Sequence, residues 1–232
     1  MLQKVTCLIP VYNEGPRLVR TVTLLHNVKE IDEFVIVDDG STDDGIAKLH
    51  TKYPAIKIIK LSHNQGKSAA VRVGLAKIRA ELTLLVDADI RGLIPSEISD
   101  GIVVMKKNPK VEMLIFRRLQ SPVTAKLDRS DIMLSGERVI KTKMLKEVMS
   151  QQPLPENYEM EVALNQYCID RQAPAYWYPT QMYNTYKILK MGLVKGLWYD
   201  WLTIKQCAEY VGWGNYWNQM CSFCWNQLPN RL

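Results

Sequence analysis

Through its first 90 residues the chain alternates short apolar runs with amphipathic stretches, the pattern of successive βαβ units. Residues 5–9 read as a buried strand, 10–16 as a loop, and 17–28 as a helix with apolar positions at helical spacing. Residues 33–37 form a second buried strand, closed by the turn and N-cap residues Asp38-Asp39-Gly40-Ser41-Thr42-Asp43 before a helix over 45–51. A third strand, 56–61, runs into Asn64-Gln65-Gly66-Lys67 and a helix over 68–79. The fourth strand, 82–86, ends at Asp87-Ala88-Asp89. Each polar cluster falls at the carboxyl end of a strand, so in an open parallel sheet the four clusters converge on one ligand crevice.

Further along, 111–116 reads as a strand, Ser135-Gly136-Glu137-Arg138 as a turn, 156–167 as a loop entering a helix, and 175–178 as a strand. The pattern predicts an α/β fold, Rossmann-like, with a mostly parallel sheet flanked by helices. Beyond residue 183 the composition changes: Trp198, Trp201, Trp213, Trp217 and Trp225 lie there. The expected division is a nucleotide-binding and catalytic domain over 1–182 and an aromatic-rich helical extension over 183–232. Trp198 and Trp201 sit one helical turn apart, and Tyr210, Trp213, Tyr216 and Trp217 form a second aromatic group, with Lys205 between the two. Two readings stand: aromatics packed over the sheet or in a homodimer contact, and an amphipathic surface lying in a membrane interface.

With 232 residues and 47% hydrophobic content the chain has room for one sizeable core rather than two. A net charge of +6 suits an anionic substrate or an acidic membrane surface. The basic residues are scattered rather than blocked, so no nucleic-acid partner is expected. Five cysteines without regular spacing point to a reducing compartment, and the Cys221-x-x-Cys224 pair lacks a second pair for a zinc site. No apolar run reaches the roughly 18–20 residues of a membrane span, so a cytoplasmic protein, soluble or peripheral on the inner membrane face, is expected.

The strongest chemical signal is the Asp87-x-Asp89 pair. Two carboxylates at the end of a buried strand call for a compensating cation, and a hard divalent ion can bridge them to a diphosphate. In isolation such a pair is more often a cap or a solvated turn. Asp38 or Asp39 offers a carboxylate for the imide N–H of uracil or guanine, against the reading that both only cap a helix. Asn64-x-Gly66-Lys67 provides a backbone turn with an ammonium behind it, suited to phosphate near a helix N-terminus and otherwise a plain loop.

Taken together, these segments resemble family 2 glycosyltransferases of the GT-A fold. The matching stretches are Cys7-Leu8-Ile9-Pro10-Val11-Tyr12-Asn13-Glu14, Ile36-Val37-Asp38-Asp39-Gly40-Ser41-Thr42-Asp43, Asn64-Gln65-Gly66-Lys67, Leu85-Val86-Asp87-Ala88-Asp89 and Ser135-Gly136-Glu137-Arg138. The resemblance implies that Pro10, Tyr12, Asn13, Glu14, Asp38, Asp39, Asn64, Gly66, Lys67, Asp87, Ala88 and Asp89 bind a UDP- or GDP-linked sugar. It also implies that Asp87 and Asp89 hold Mg²⁺ or Mn²⁺ on the diphosphate. Ser135, Gly136, Glu137 and Glu159 fall on the acceptor side, as in polyprenyl-phosphate sugar synthases, and Glu161 becomes the acceptor-side carboxylate. If a helix begins near Glu159, only one of Glu159 and Glu161 can face the site. Where relatives often place a metal-binding histidine this chain has Asn184, in Tyr183-Asn184-Thr185-Tyr186-Lys187, which tilts the expected metal toward Mg²⁺.

The expected reaction is transfer of the sugar to a sugar, a small alcohol or a lipid phosphate, with inversion. Lys67 or Arg138 would offset the leaving-group charge, and Glu161 would act as general base for an alcohol. A nonenzymatic sugar-nucleotide sensor would not need the D-x-D pair or Glu161. A nucleotidyltransferase would carry a glycine-rich loop after the first strand, where this chain has only Gly15.

Overall fold

The continuous apolar runs become the centre of a seven-stranded sheet. In the computed structural model, which describes residues 3–184 and 193–229, the sheet is built from β1 (Val5–Val11), β2 (Glu33–Asp38), β3 (Lys57–Lys60), β4 (Leu82–Leu85), β5 (Met113–Arg118), β6 (Arg138–Lys141) and β7 (Ala175–Thr180). Its order is β3-β2-β1-β4-β6-β5-β7. All neighbours are parallel except β6, which runs antiparallel to both β4 and β5. The chain steps outward from β1 to β3 and returns to the other side of β1 with β4. That reversal makes the carboxyl ends of β1 and β4 the topological switch point.

Local chemistry follows this plan. Leu8 pairs with Leu85, the last pairing of β1 with β4, and the Leu8 carbonyl accepts from the Val86 N–H. Pro10, two residues on, faces the same side after β4 has departed, so its missing N–H costs no ladder bond. The helix α1 (Gly15–Leu25) starts with Pro16 in its first turn and buries Leu18, Val22 and Leu25 at i, i+4, i+7. Helix α3 (Lys67–Leu75) lies close over β1 and β2, because a Cβ on Gly74 would collide with the side chains of Leu8 and Val37. This contact aims the first residue of α3, Lys67, at the switch point.

One face of the sheet packs α1, α2 (Gly45–Lys52) and α4 (Pro95–Lys107); the other packs α3, α7 (Thr142–Val148) and α8 (Glu159–Asp170). The short helices α5 (Val123–Leu127) and α6 (Ser130–Met133) bridge β5 to β6. Several elements lie where none is predicted, α4, α5, α6, β6 and α7. Helix α4 buries Ile98, Gly101, Ile102 and Met105, and β6 occupies what reads in sequence as the end of a turn.

The tail forms α9 (Leu193–Val211), α10 (Trp213–Cys221) and a single 3₁₀ turn, Phe223–Trp225. Cys207, Ala208, Tyr216, Phe223 and Cys224 join the same apolar cluster as α8 and Trp177. The main chain of Trp177 donates to the Asn226 carbonyl and accepts from the Leu228 N–H, so the tail lies along β7. The expectation that the tail tryptophans pack over the sheet is not met. Trp198, Trp201, Trp213, Trp217 and Trp225 are 47–69% exposed, while of the tail aromatics Tyr216 is buried, with Cys207, Ala208 and Gln219 beside it on the inner face. Among the described residues no helix is long and apolar enough to cross a membrane.

Candidate active site

The loops after β1, β2 and β4 and the start of α3 surround one crevice of about 480 Å³, within the usual range for small-molecule sites. Pro10, Tyr12, Glu14, Asp39, Asn64, Gly66, Lys67, Asp87, Ala88, Asp89 and Asn184 line it. These are eleven of the thirteen positions expected to hold nucleotide sugar or metal. Segments up to 174 residues apart in sequence thus meet where the strand order reverses.

The other two, Asn13 and Asp38, stand behind that wall and organise it. Asn13 adopts a left-handed backbone, φ 54°. Its N–H donates to Ser41 Oγ at 3.0 Å, and its side-chain oxygen accepts the Thr42 N–H at 2.9 Å. Asp38 is 1% exposed and accepts the Ser41 N–H at 2.8 Å. Asp39 accepts two main-chain N–H groups, from Gln65 and Gly66, both at 2.8 Å. The β2 loop thereby fixes the Asn64–Lys67 turn, and lone pairs remain on the Asp39 carboxylate for a further donor.

At the base of the crevice lies a charge network. Lys67 Nζ is 2.7 Å from Asp87 Oδ1 and 2.9 Å from Glu161 Oε1. Arg118 Nη2 is 3.4 Å from Asp87 Oδ2 and 2.7 Å from Glu137 Oε2. Three carboxylates therefore share two cations, with Asp89 beside them. Burial alone would push the Lys67 ammonium down, but the charges and hydrogen bonds of Asp87 and Glu161 outweigh it and the net shift is upward. For Asp87 burial acts upward, and Lys67 and Arg118 reverse it to hold the carboxyl below its usual range. For Glu137 burial prevails over Arg118 and the carboxyl is raised.

Gly136 explains how these groups fit together. A Cβ there would sit 2.7 Å from both Asp87 Oδ2 and Lys67 Nζ, so glycine lets the turn before β6 pass under the pair without displacing either side chain. Ser135 and Glu137 are fully buried beneath the crevice; the Ser135 hydroxyl donates to the Phe116 carbonyl at 2.7 Å.

Arg138 does not reach the crevice. It is completely buried, donating to the carbonyls of Ser135, Met133 and Glu161 and to Asn165 Oδ1, and burial pulls its guanidinium down to about 10. It braces the start of α8, and the cation beside Asp87 is instead Arg118. Position alone could have pointed to this end of β5: Arg118 ends a strand running parallel to β4, so it falls on the crevice edge. Glu159 and Glu161 divide as helical spacing requires, since α8 begins at Glu159. Glu161 turns inward to Lys67, while Glu159 accepts the Glu156 N–H and the Gln206 amide. Asn157 and Tyr158 also line the crevice. Of the stretch around Asn184, residues 185–187 lie outside the described residues.

A doubly wound sheet with an acidic pair at its switch point and a cradle for an anion beside it defines a GT-A class of nucleotide-binding fold. The sequence model described as "Glycosyl transferase family 2" matches residues 6–147, and the chain belongs to that family. An undecaprenyl-phosphate 4-deoxy-4-formamido-L-arabinose transferase of Sodalis glossinidius is 35% identical over 98 residues, covering 39% of this chain and 30% of the relative. A dolichyl-phosphate beta-glucosyltransferase of Saccharomyces cerevisiae is 42% identical over 94 residues, covering 35% of this chain and 28% of the relative. The match thus spans under a third of either relative's length. Among solved structures, glucosyl-3-phosphoglycerate synthase from Mycobacterium tuberculosis with Mn²⁺, UDP and phosphoglyceric acid superposes with a TM-score of 0.70. It is 16% identical, and the overlap covers 90% of this chain and 79% of that one. The same enzyme with Mg²⁺ and UDP superposes with a TM-score of 0.63 at 15% identity, over 89% of this chain and 80% of that one.

Proposed function

We propose that this chain transfers a glycosyl group from a UDP- or GDP-linked sugar to the phosphate of a polyprenyl lipid, with inversion, at the cytoplasmic face of a membrane. The observation that carries the reading is the convergence of Asp39, Lys67, Asp87 and Asp89 on one crevice at the switch point. The acceptor class is supported by the names of the two curated relatives, both transferases to a lipid phosphate.

In this reading Asp39 accepts the imide N–H of the base with the lone pairs its two backbone bonds leave. Asp87, Asp89 and the Asn184 amide oxygen offer hard oxygen donors on a single crevice, which fits Mg²⁺ or Mn²⁺. When bound, the ion would offset charge growing on the departing diphosphate. Asp87, Asp89 and Asn184 would supply part of that ion's oxygen ligands. Lys67 and Arg118 place two cations at the reacting centre, where they offset the charge of Asp87 and the carboxylates paired with them.

A lipid phosphate is ionised near neutral pH, so its oxygen can attack the anomeric carbon without a base while the bond to the diphosphate breaks. Glu161 is then a positioning residue that holds Lys67. A second reading, an alcohol acceptor, is favoured by one observation: Glu161 Oε2 is buried with no hydrogen-bond partner and could take the hydroxyl proton. The test is a transfer assay with labelled UDP- and GDP-sugars, Mg²⁺ and a short polyprenyl phosphate. Label is expected in the lipid, and Glu161→Gln should keep much of that activity. Transfer to alcohols alone, abolished by Glu161→Gln, would establish the second reading. Failure of every donor to react or to raise the melting temperature would overturn both.

A further inference from the structure

The outward face of α9 carries a cluster that the fold leaves uncovered. Trp198 is 58% exposed, Tyr199 43%, Trp201 47% and Leu202 36%. The two indoles stack at 5.4 Å with a 23° angle between planes, and Leu202 follows Trp198 at i+4. Lys205 Nζ sits 5.8 Å from the Trp201 ring, and Lys195, one turn before Trp198, is exposed. Asp200 falls on the other side of the helix by its spacing, which leaves Glu209, 3.7 Å from Lys205, as the acid near this face.

An adjoining flank of the same helix, next to Tyr199, is tied to the crevice. Gln206 donates to Glu159 at 2.9 Å, and the Tyr210 hydroxyl donates to the Pro153 carbonyl at 3.0 Å. Those bonds bracket the segment that contributes Asn157 and Tyr158 to the crevice wall.

We infer that this face of α9 is a docking surface for a bilayer containing anionic phospholipids, which deepens the lipid-acceptor reading and rests on it for its purpose. Indole rings have an apolar body and a polar N–H and partition to the headgroup level, while flanking lysines reach outward to lipid phosphates. The net charge of +6 matches an anionic surface. No described helix is long and apolar enough to cross a membrane, so α9 would lie along the surface and bring the acceptor wall of the crevice to the lipid.

The experiment is co-sedimentation of the full chain with phosphatidylcholine vesicles, with and without phosphatidylglycerol, in the absence of nucleotide and of polyprenyl phosphate. Wild type should bind the anionic vesicles. Trp198→Ala/Trp201→Ala should bind about tenfold or more weakly, and Lys195→Glu/Lys205→Glu should lose the preference for phosphatidylglycerol. If the alanine pair fails to fold, brominated lipids provide the second measurement. They should quench wild-type tryptophan emission and quench Trp198→Phe/Trp201→Phe markedly less. Absence of wild-type binding, or quenching and affinity unchanged by the substitutions, overturns the proposal. So does a dimer in light scattering that the tryptophan substitutions abolish, because a second copy would then cover the face. The vesicles carry neither donor nor acceptor, so this result is independent of the transfer assay.

Discussion

On the wall of the crevice proposed to hold the donor, side chains are held by main-chain N–H groups: Asp39 by Gln65 and Gly66, Asp38 by Ser41, and Asn13 by Thr42. At the base of the crevice the holding is done by charge, through Lys67 with Asp87 and Glu161 and Arg118 with Asp87 and Glu137. Backbone donors stay where the fold puts them, so the donor wall is preorganised. A network of mobile cations and carboxylates instead redistributes when new charge arrives. The two walls should therefore fail differently when damaged, the donor wall in binding and the charged base in turnover.

The largest effect is expected at their junction. Asp89→Ala should lower kcat by about 10³-fold or more at saturating Mg²⁺, since no neighbouring group replaces its carboxylate; a variant that keeps most of its turnover removes Asp89 from the chemistry. Next comes Gly136→Ala, whose new Cβ would press on Asp87 and Lys67 at 2.7 Å. A displacement of that kind should lower kcat about 100-fold while costing about 1–3 kcal/mol of stability. Equal losses in kcat and donor affinity would show that the two walls are not separable.

The charged base should also leave a mark on pH dependence. Asp87 is held below its usual range by Lys67 and Arg118, so it contributes stability above its unfolded-state value and loses it as pH falls through the folded one. Thermal melts of wild type should drop on acidification, and Asp87→Asn should flatten that acid limb; superimposable limbs would contradict the pairing. The smallest effect belongs to the donor wall. Asn13→Ala keeps an unfavourable left-handed backbone and loses the bond to Thr42, a cost of about 1–2 kcal/mol. It should raise the donor KM several-fold with kcat nearly unchanged.

The same contrast decided what could be read from sequence. The residues that line the crevice are written in contiguous segments at strand ends, so alternation plus the carboxyl-end rule locates Pro10–Glu14, Asp38–Asp39, Asn64–Lys67 and Asp87–Asp89 together. The base of the crevice depends on partners such as Lys67 and Glu161, 94 positions apart, which no local pattern links. Arg138 was the natural guess from the turn that contains it, yet the strand β6 inserted there carries it inward. The end of β5 falls on the crevice edge, but it carries two arginines, and only the packing shows that Arg118 is the one beside Asp87. The first of them, Arg117, turns away to Asp131.

The run of chain from Asn226 to Leu228, laid against Trp177, has a role apart from catalysis. β7 is an outer strand of the sheet, and its unpaired main-chain groups would otherwise invite a strand from another molecule. The other outer strand, β3, is only four residues long and bounded by Lys57 and Lys60, which discourage such pairing by brevity and charge. The sheet thus meets its own tail at Trp177 on one border and carries lysines on the other, so residues 226–228 take the place there that an incoming strand would otherwise occupy.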